Sequence, residues 1–60
     1  MPSDETRAVL RAFGVAVTKL EDAIDAKAPV AEIVEWDAVV ADRTREVVSL
    51  VDRLRSRRIG

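Results

Sequence analysis

The sequence predicts an all-α fold in which two helices form an antiparallel hairpin, and three observations support this prediction. Apolar residues recur at alternating spacings of three and four along most of the chain, which is the repeat of an amphipathic helix. Pro29 interrupts this pattern near the middle of the sequence. The 60 residues suffice for one small domain, which we place at residues 1–60.

The first helix is predicted over about residues 4–27. Ser3 or Asp4 can cap its N-terminus, and the carboxylates of Asp4 and Glu5 suit the positive end of the helix dipole. Its main apolar positions, which we expect to face the second helix, are Leu10, Phe13, Val17, Leu20 and Ile24.

The second helix is predicted over about residues 29–57. Proline suits the first turn of a helix and disfavours helical geometry in the residue before it, so the break falls between Ala28 and Pro29. Because the connection is very short, the helices should fold back on each other. The apolar positions of the second helix are Ile33, Trp36, Val40, Val47, Leu50 and Leu54, with Arg43 as the one polar interruption.

The position of the turn also predicts which residues lie at the same level. Both helices rise by about 1.5 Å per residue, so facing residues should have numbers that add up to about 57. The layers expected on this basis are Ile24 with Ile33, Leu20 with Trp36, Val17 with Val40, Phe13 with Thr44, and Leu10 with Val47.

Both helices carry more apolar surface than a single neighbour covers. The apolar residues are mostly small, with ten Val and nine Ala, and two helices alone cannot enclose a core. Beside the main positions, the first helix has a strip of Val9, Ala12, Ala16 and Ala23, and the second has Val30, Val34, Ala41, Val48 and Val51. We therefore predict a homodimer that forms a four-helix bundle. The expected interface residues are Leu10, Phe13, Val17, Leu20, Ile24, Val34, Trp36, Val40, Val48 and Val51.

Two alternatives to a homodimer remain open. Alanine is a good helix former and need not be buried, which accounts for the small strip of the first helix in a monomer. Another helical protein can also cover the surplus surface. The valines Val34, Val48 and Val51 favour packing against some partner, since valine is a poorer helix former.

Charge is segregated along the chain, with +1 in residues 1–20, −6 in 21–42 and +4 in 43–60. Like charges four positions apart also occur within the helices, and we expect contacts outside each helix to offset their repulsion. A dimer with its two turns at opposite ends brings unlike charges together. The expected neighbours are Glu21, Asp22, Asp25, Glu32 and Glu35 of one copy and Arg53, Arg55 and Arg57 of the other.

Three single residues interrupt the pattern. Asp37 lies within the apolar arc of the second helix, where it either reaches water or Lys19 across the hairpin, or fixes the register or contacts a ligand. Gly14 indicates close packing beside Phe13, with a tolerated cost to the helix as the alternative. Trp36 is predicted to be a core or interface anchor near the turn, with an exposed binding site as the alternative.

The composition argues against an enzyme. Without Cys or His, the chain lacks the usual metal ligands and the usual general base, so we expect no cofactor, no metal and no catalytic residue. The predicted function is a small protein-protein interaction or assembly module that self-associates. The first alternative is a nucleic-acid-binding regulator in which Arg53, Arg55, Arg57 and Arg58 contact phosphates.

A remote alternative comes from the carboxylates near the turn. Glu21, Asp22, Asp25, Glu32 and Glu35 resemble the paired acidic motifs of all-α magnesium-dependent nucleotide pyrophosphohydrolases, which implies a hydrolase-like fragment. This chain is much shorter than those enzymes and lacks their third and fourth helices. The hairpin architecture is also similar to small helical-hairpin dimers such as plasmid copy-number RNA-binding proteins, with no shared motif.

The start of the sequence shows no secretory signal, and no apolar run is long enough for a membrane span. We therefore expect a cytoplasmic protein that does not enter a membrane.

Overall fold

The structure, a computed structural model, describes residues 3–59 and contains two helices, α1 (Asp4–Asp25) and α2 (Val30–Ile59). The helices pack against each other as a hairpin, which confirms the predicted all-α architecture. The Cα radius of gyration is 14.2 Å, whereas a compact domain of this length has about 10 Å. The molecule is thus a rod of 47 × 18 × 12 Å. Met1, Pro2 and Gly60, which the predicted domain includes, lie outside the described residues.

The N-terminus of α1 is capped by Ser3. Its hydroxyl oxygen accepts a hydrogen bond from the Thr6 amide at 3.1 Å, and the Ser3 carbonyl accepts one from the Arg7 amide at 3.1 Å. Asp4 and Glu5 occupy the first turn, where their negative charge stabilises the helix dipole. Of the two predicted caps, the structure uses Ser3.

The turn ends α1 at Asp25, two residues earlier than predicted. Lys27 has φ of 56°, in the left-handed region. The Ala28 amide donates to the Ala23 carbonyl at 2.9 Å, and the Lys27 amide donates to the Ile24 carbonyl at 3.0 Å. This is the hydrogen-bond pattern of a Schellman motif, which satisfies the last carbonyls of a helix. Glycine is the usual residue at the position that Lys27 fills.

Helix α2 begins at Val30, one residue after the predicted start. Pro29 precedes it as the N-cap, because the Pro29 carbonyl accepts hydrogen bonds from Glu32 at 3.0 Å and Ile33 at 3.2 Å. The prediction placed Pro29 inside the first turn of the helix. The structure places it just before that turn, where the proline ring still holds φ at a value that suits the start of a helix. The helix has 30 residues against 22 in α1 and extends to Ile59, beyond the predicted end at 57.

The face of α1 that contacts α2 differs from the prediction. Ala16 and Ala23 are buried, with 2% and 7% of their surface exposed, while Leu10, Val17 and Ile24 are exposed. Small side chains let two helices approach closely, so α1 turns its alanine-rich strip toward the bulkier residues of α2. The predicted layers that place Leu10, Val17 and Ile24 against α2 are therefore wrong. At 100° per residue, the contact face is rotated by about 60°.

The contact face of α2 agrees better with the prediction. Leu50 is buried, with 4% of its surface exposed, and the other apolar positions predicted to face α1 are half-buried: Ile33, Trp36, Val40 and Val47. Arg43 also lies in this row and is half-buried. Two predicted positions are wrong: Leu54 is exposed, as is Thr44, whose hydroxyl donates to the Val40 carbonyl at 2.8 Å.

One ion pair joins the far ends of the helices and indicates their approximate axial register. Arg53 Nη2 lies 2.6 Å from Glu5 Oε1. Facing residues therefore have numbers that add up to about 58, one more than predicted. The last turn of α2, from Arg55 onward, extends past the start of α1.

Candidate interaction surface

The hairpin exposes more surface than a folded chain of its size. Its accessible surface is 4814 Å², whereas a compact monomer of the same mass exposes about 3900 Å². The excess of about 900 Å² is spread over the whole elongated rod, and it is similar in size to the area of about 800 Å² that one partner contributes to a standard protein-protein interface.

The direction in which each exposed side chain points follows from helix geometry. Successive residues are rotated by about 100°, and the part of α1 that faces α2 is centred near Ala16. Leu10, Val17 and Ile24 lie about 80 to 120° to one side of Ala16. Glu5 lies on the other side, together with its partner Arg53 on α2. The ion pair and the exposed apolar row of α1 therefore flank opposite sides of the hairpin.

Helix α2 adds its exposed apolar residues to the same side as Leu10, Val17 and Ile24. The positions of α2 most nearly opposite in direction to Arg53 turn toward this side and outward from α1, and they include the most exposed valines. The resulting surface, called the apolar face below, consists of Leu10, Val17 and Ile24 from α1 and Val30, Val34, Ala41, Val48 and Val51 from α2.

The structure divides the predicted interface residues into two groups. Phe13, Leu20, Trp36 and Val40 are half-buried between the helices. The other six predicted residues are exposed on the apolar face: Leu10, Val17, Ile24, Val34, Val48 and Val51. Val15 is also exposed, but its position on α1 points it toward the opposite side of the hairpin.

Most charges of α2 are balanced within the chain. Ion pairs three residues apart join Asp42 to Arg45, Arg43 to Glu46, and Asp52 to Arg55. Within α2, these contacts offset the repulsion between Asp42 and Glu46, so the expectation of contacts outside the helix is wrong for that pair. Arg53, in contrast, pairs with Glu5 of α1, as that expectation requires.

A second group of charges makes no ion pair among residues 3–58. The members of this group that lie on or beside the apolar face are Arg7, Glu21, Asp25 and Asp37. Asp37 is exposed, which agrees with the expectation that it reaches water, whereas it points away from Lys19, the other contact that the prediction allowed. The acids lie toward the turn, and Arg7 lies toward the open end.

The arginine-rich end of α2 is only partly free. Arg53 is bound to Glu5, and Arg55 Nη1 lies 3.7 Å from Asp52 Oδ1. Arg57 and Arg58 occupy the last turn, where their positive charge stabilises the negative end of the helix dipole. The four arginines predicted to contact phosphates therefore do not form one uniform patch.

The environment of Gly14 contradicts the prediction of close packing. Gly14 is exposed, and a Cβ atom built on it meets nothing within 4 Å. Its carbonyl accepts a hydrogen bond from the Thr18 hydroxyl at 2.9 Å. Within the hairpin, nothing requires a glycine here.

The carboxylates near the turn do not converge. In the part of the chain that the structure describes, no three acidic side chains are grouped in a way that suits a metal ion. Neither helix, over residues 3–59, has a segment of the length and apolarity that a membrane crossing requires.

Comparison of the chain with protein-family models gives no match, and neither the curated proteins nor the solved structures give one.

Proposed function

We propose that the protein is a small non-enzymatic interaction or assembly module that works as a homodimer, in which two hairpins form a four-helix bundle. The observation that carries this proposal is the apolar face, where both helices leave large apolar side chains exposed on the same side of the hairpin. Such contiguous apolar surfaces are typical of protein interaction sites.

The buried core of a single hairpin is too small for the length of the chain. Only Ala16, Ala23 and Leu50 are buried within the described residues. A second copy supplies a matching apolar face, and the two faces then form the core that one hairpin lacks. A different helical protein is the alternative occupant of the apolar face. The mass of the purified chain, measured without any other protein, separates the two cases, because only self-association doubles it.

Thermal unfolding at several protein concentrations tests the proposal. If unfolding separates two chains, the Tm should rise by about 5 °C for each tenfold increase in concentration, because association stabilises the folded state by mass action. The fluorescence of Trp36, the single tryptophan, and the helical circular dichroism signal both report the transition. A Tm that stays constant over a hundredfold range would reject self-association.

Nucleic-acid binding is the competing function, because the exposed last turn of α2 with Arg57 and Arg58 extends past α1. Titration of a mixed-sequence RNA and a DNA duplex at low and moderate salt separates the two functions. Contacts with phosphates weaken steeply as salt rises. We expect no such binding. Tight, salt-sensitive binding that is lost on Arg57→Ala and Arg58→Ala would assign the protein to nucleic-acid recognition instead.

A further inference from the structure

The apolar face contains one row of three residues, spaced by seven, on each helix, and each row is symmetric about its central residue; Val30 and Val51 lie outside these rows. On α1, Val17 lies midway between Leu10 and Ile24. On α2, Ala41 lies midway between Val34 and Val48 in the same way. An antiparallel copy of either row can therefore lie on the original, with its large residues beside large residues.

The centres of the two rows lie at the same level along the hairpin. The Glu5 pair with Arg53 aligns residues whose numbers add up to about 58, and this register places Ala41 beside Val17. A single axis perpendicular to the helices thus passes through the centres of both rows. This coincidence is what a two-fold symmetric interface requires.

We propose that a second copy docks on the apolar face with its turn at the opposite end, so that the two-fold axis passes between the two Val17 side chains and between the two Ala41 side chains. This inference rests on the proposed function and specifies its interface. Helix α1 then packs on α1 of the second copy and α2 on α2. Leu10 lies beside Ile24 of the second copy, and Val34 lies beside its Val48.

This arrangement is favoured by charges that lack ion pairs within the described chain and by Arg45, which also pairs with Asp42 of its own helix. On α2, Asp37 comes to the level of Arg45 of the second copy. On α1, Arg7 comes within about 3 Å, along the axis, of the level of Asp25 of the second copy. If both turns lay at the same end, α1 would instead pack on α2 of the second copy. Each residue of α1 would then lie at the same level as the α2 residue that it faces within its own hairpin. Asp37 would then face Glu21, and the two acids would repel each other.

This arrangement revises the charge contacts predicted from the sequence. Arg53 is bound to Glu5 on the side away from the apolar face, and Glu32 and Glu35 also point away from that face. The orientation of the two copies stays as predicted, but different residues support it.

Disulfide cross-linking tests the position of the axis, because the chain has no cysteine of its own. Two single variants, Val17→Cys and Ala41→Cys, are oxidised separately and then as an equal mixture, with size-tagged chains to identify mixed products. The matched control is Val15→Cys, an exposed valine on the opposite side of the hairpin. Circular dichroism of each variant verifies that it stays helical.

We expect Val17→Cys and Ala41→Cys each to form covalent dimers about tenfold or more faster than Val15→Cys, because the two thiols on the axis are held close together. Turns at the same end would instead link Val17→Cys to Ala41→Cys and leave each single variant unlinked. That result overturns the inference, as does the absence of cross-links in a protein that sediments as a dimer. A monomer mass at every concentration overturns the proposed function itself.

Discussion

Arg53 and Glu5 form the ion pair that joins the end of α2 to the start of α1, with Nη2 and Oε1 2.6 Å apart. The two residues lie 48 positions apart in sequence, and their contact indicates the approximate level at which the two helices face each other. The ion pair also marks the polar side of the hairpin, since the apolar face lies opposite.

A double-mutant cycle with Glu5→Gln and Arg53→Gln measures this contact. Both side chains are more than half exposed, so solvent screens the pair, and we expect a coupling of about 0.2–1 kcal/mol that declines as salt rises. The same cycle with Arg55→Gln in place of Arg53→Gln is the control and should give no coupling. Equal coupling in both cycles would mean that the ends of the helices are not aligned as described.

Leu50 and Leu54 offer a matched test of the intramolecular core. Leu50 is 4% exposed and Leu54 is 42% exposed, although the two leucines lie one turn apart on the same helix. Leu50→Ala should lower the free energy of unfolding by about 2–4 kcal/mol, and Leu54→Ala should lower it by clearly less. Urea unfolding followed by circular dichroism gives both values. If Leu54→Ala were the more destabilising variant, the face of α2 that contacts α1 would not be the one described.

The left-handed residue in the turn provides a stabilising substitution. Lys27 adopts φ of 56°, which glycine adopts without strain, so Lys27→Gly should raise the free energy of unfolding by about 1 kcal/mol. Ala26, with φ of −80°, is the control. Ala26→Gly should lower the stability by about 0.5–1 kcal/mol, because it only adds freedom to the unfolded chain. A destabilised Lys27→Gly variant would contradict the Schellman geometry of the turn.

Gly14 should tolerate a larger residue. Since a Cβ at this position meets nothing within 4 Å, Gly14→Ala should stabilise α1 by about 1 kcal/mol. Thermal unfolding at a fixed protein concentration measures the change. A loss of stability would instead show that the second copy in the proposed dimer packs closely against the backbone at Gly14, which lies beside Leu10 and Val17 on α1.

The axial register could be predicted from the sequence because few quantities determine it. Pro29 marks the break, the connection is short, and both helices rise equally per residue, so the register that the Glu5 pair with Arg53 indicates lies close to the predicted one. The contact of Glu5 with Arg53 was missed. The register itself could have indicated this contact, because it places the opposite charges of Glu5 and Arg53 at about the same level.

The side of α1 that faces α2 could not be predicted in the same way. Periodicity locates a broad apolar arc but does not say which part of the arc a given neighbour covers. Leu10, Val17 and Ile24 dominate the pattern by their size, yet the alanines at Ala16 and Ala23 allow the closer approach of α2. The left-handed Lys27 was also beyond prediction, because glycine is the residue that normally indicates this conformation.

Sedimentation equilibrium of the unmodified chain beside Val17→Asp and Val15→Asp tests self-association through the apolar face most directly. Both variants place a carboxylate at an exposed valine of α1, with the same effect on helix propensity, but only Val17 lies on the apolar face. At micromolar concentration, the unmodified chain and Val15→Asp should show twice the 6.6 kDa mass, and Val17→Asp should show the monomer mass. A mass of 6.6 kDa for all three proteins, or a dimer that Val17→Asp leaves intact, would contradict this account.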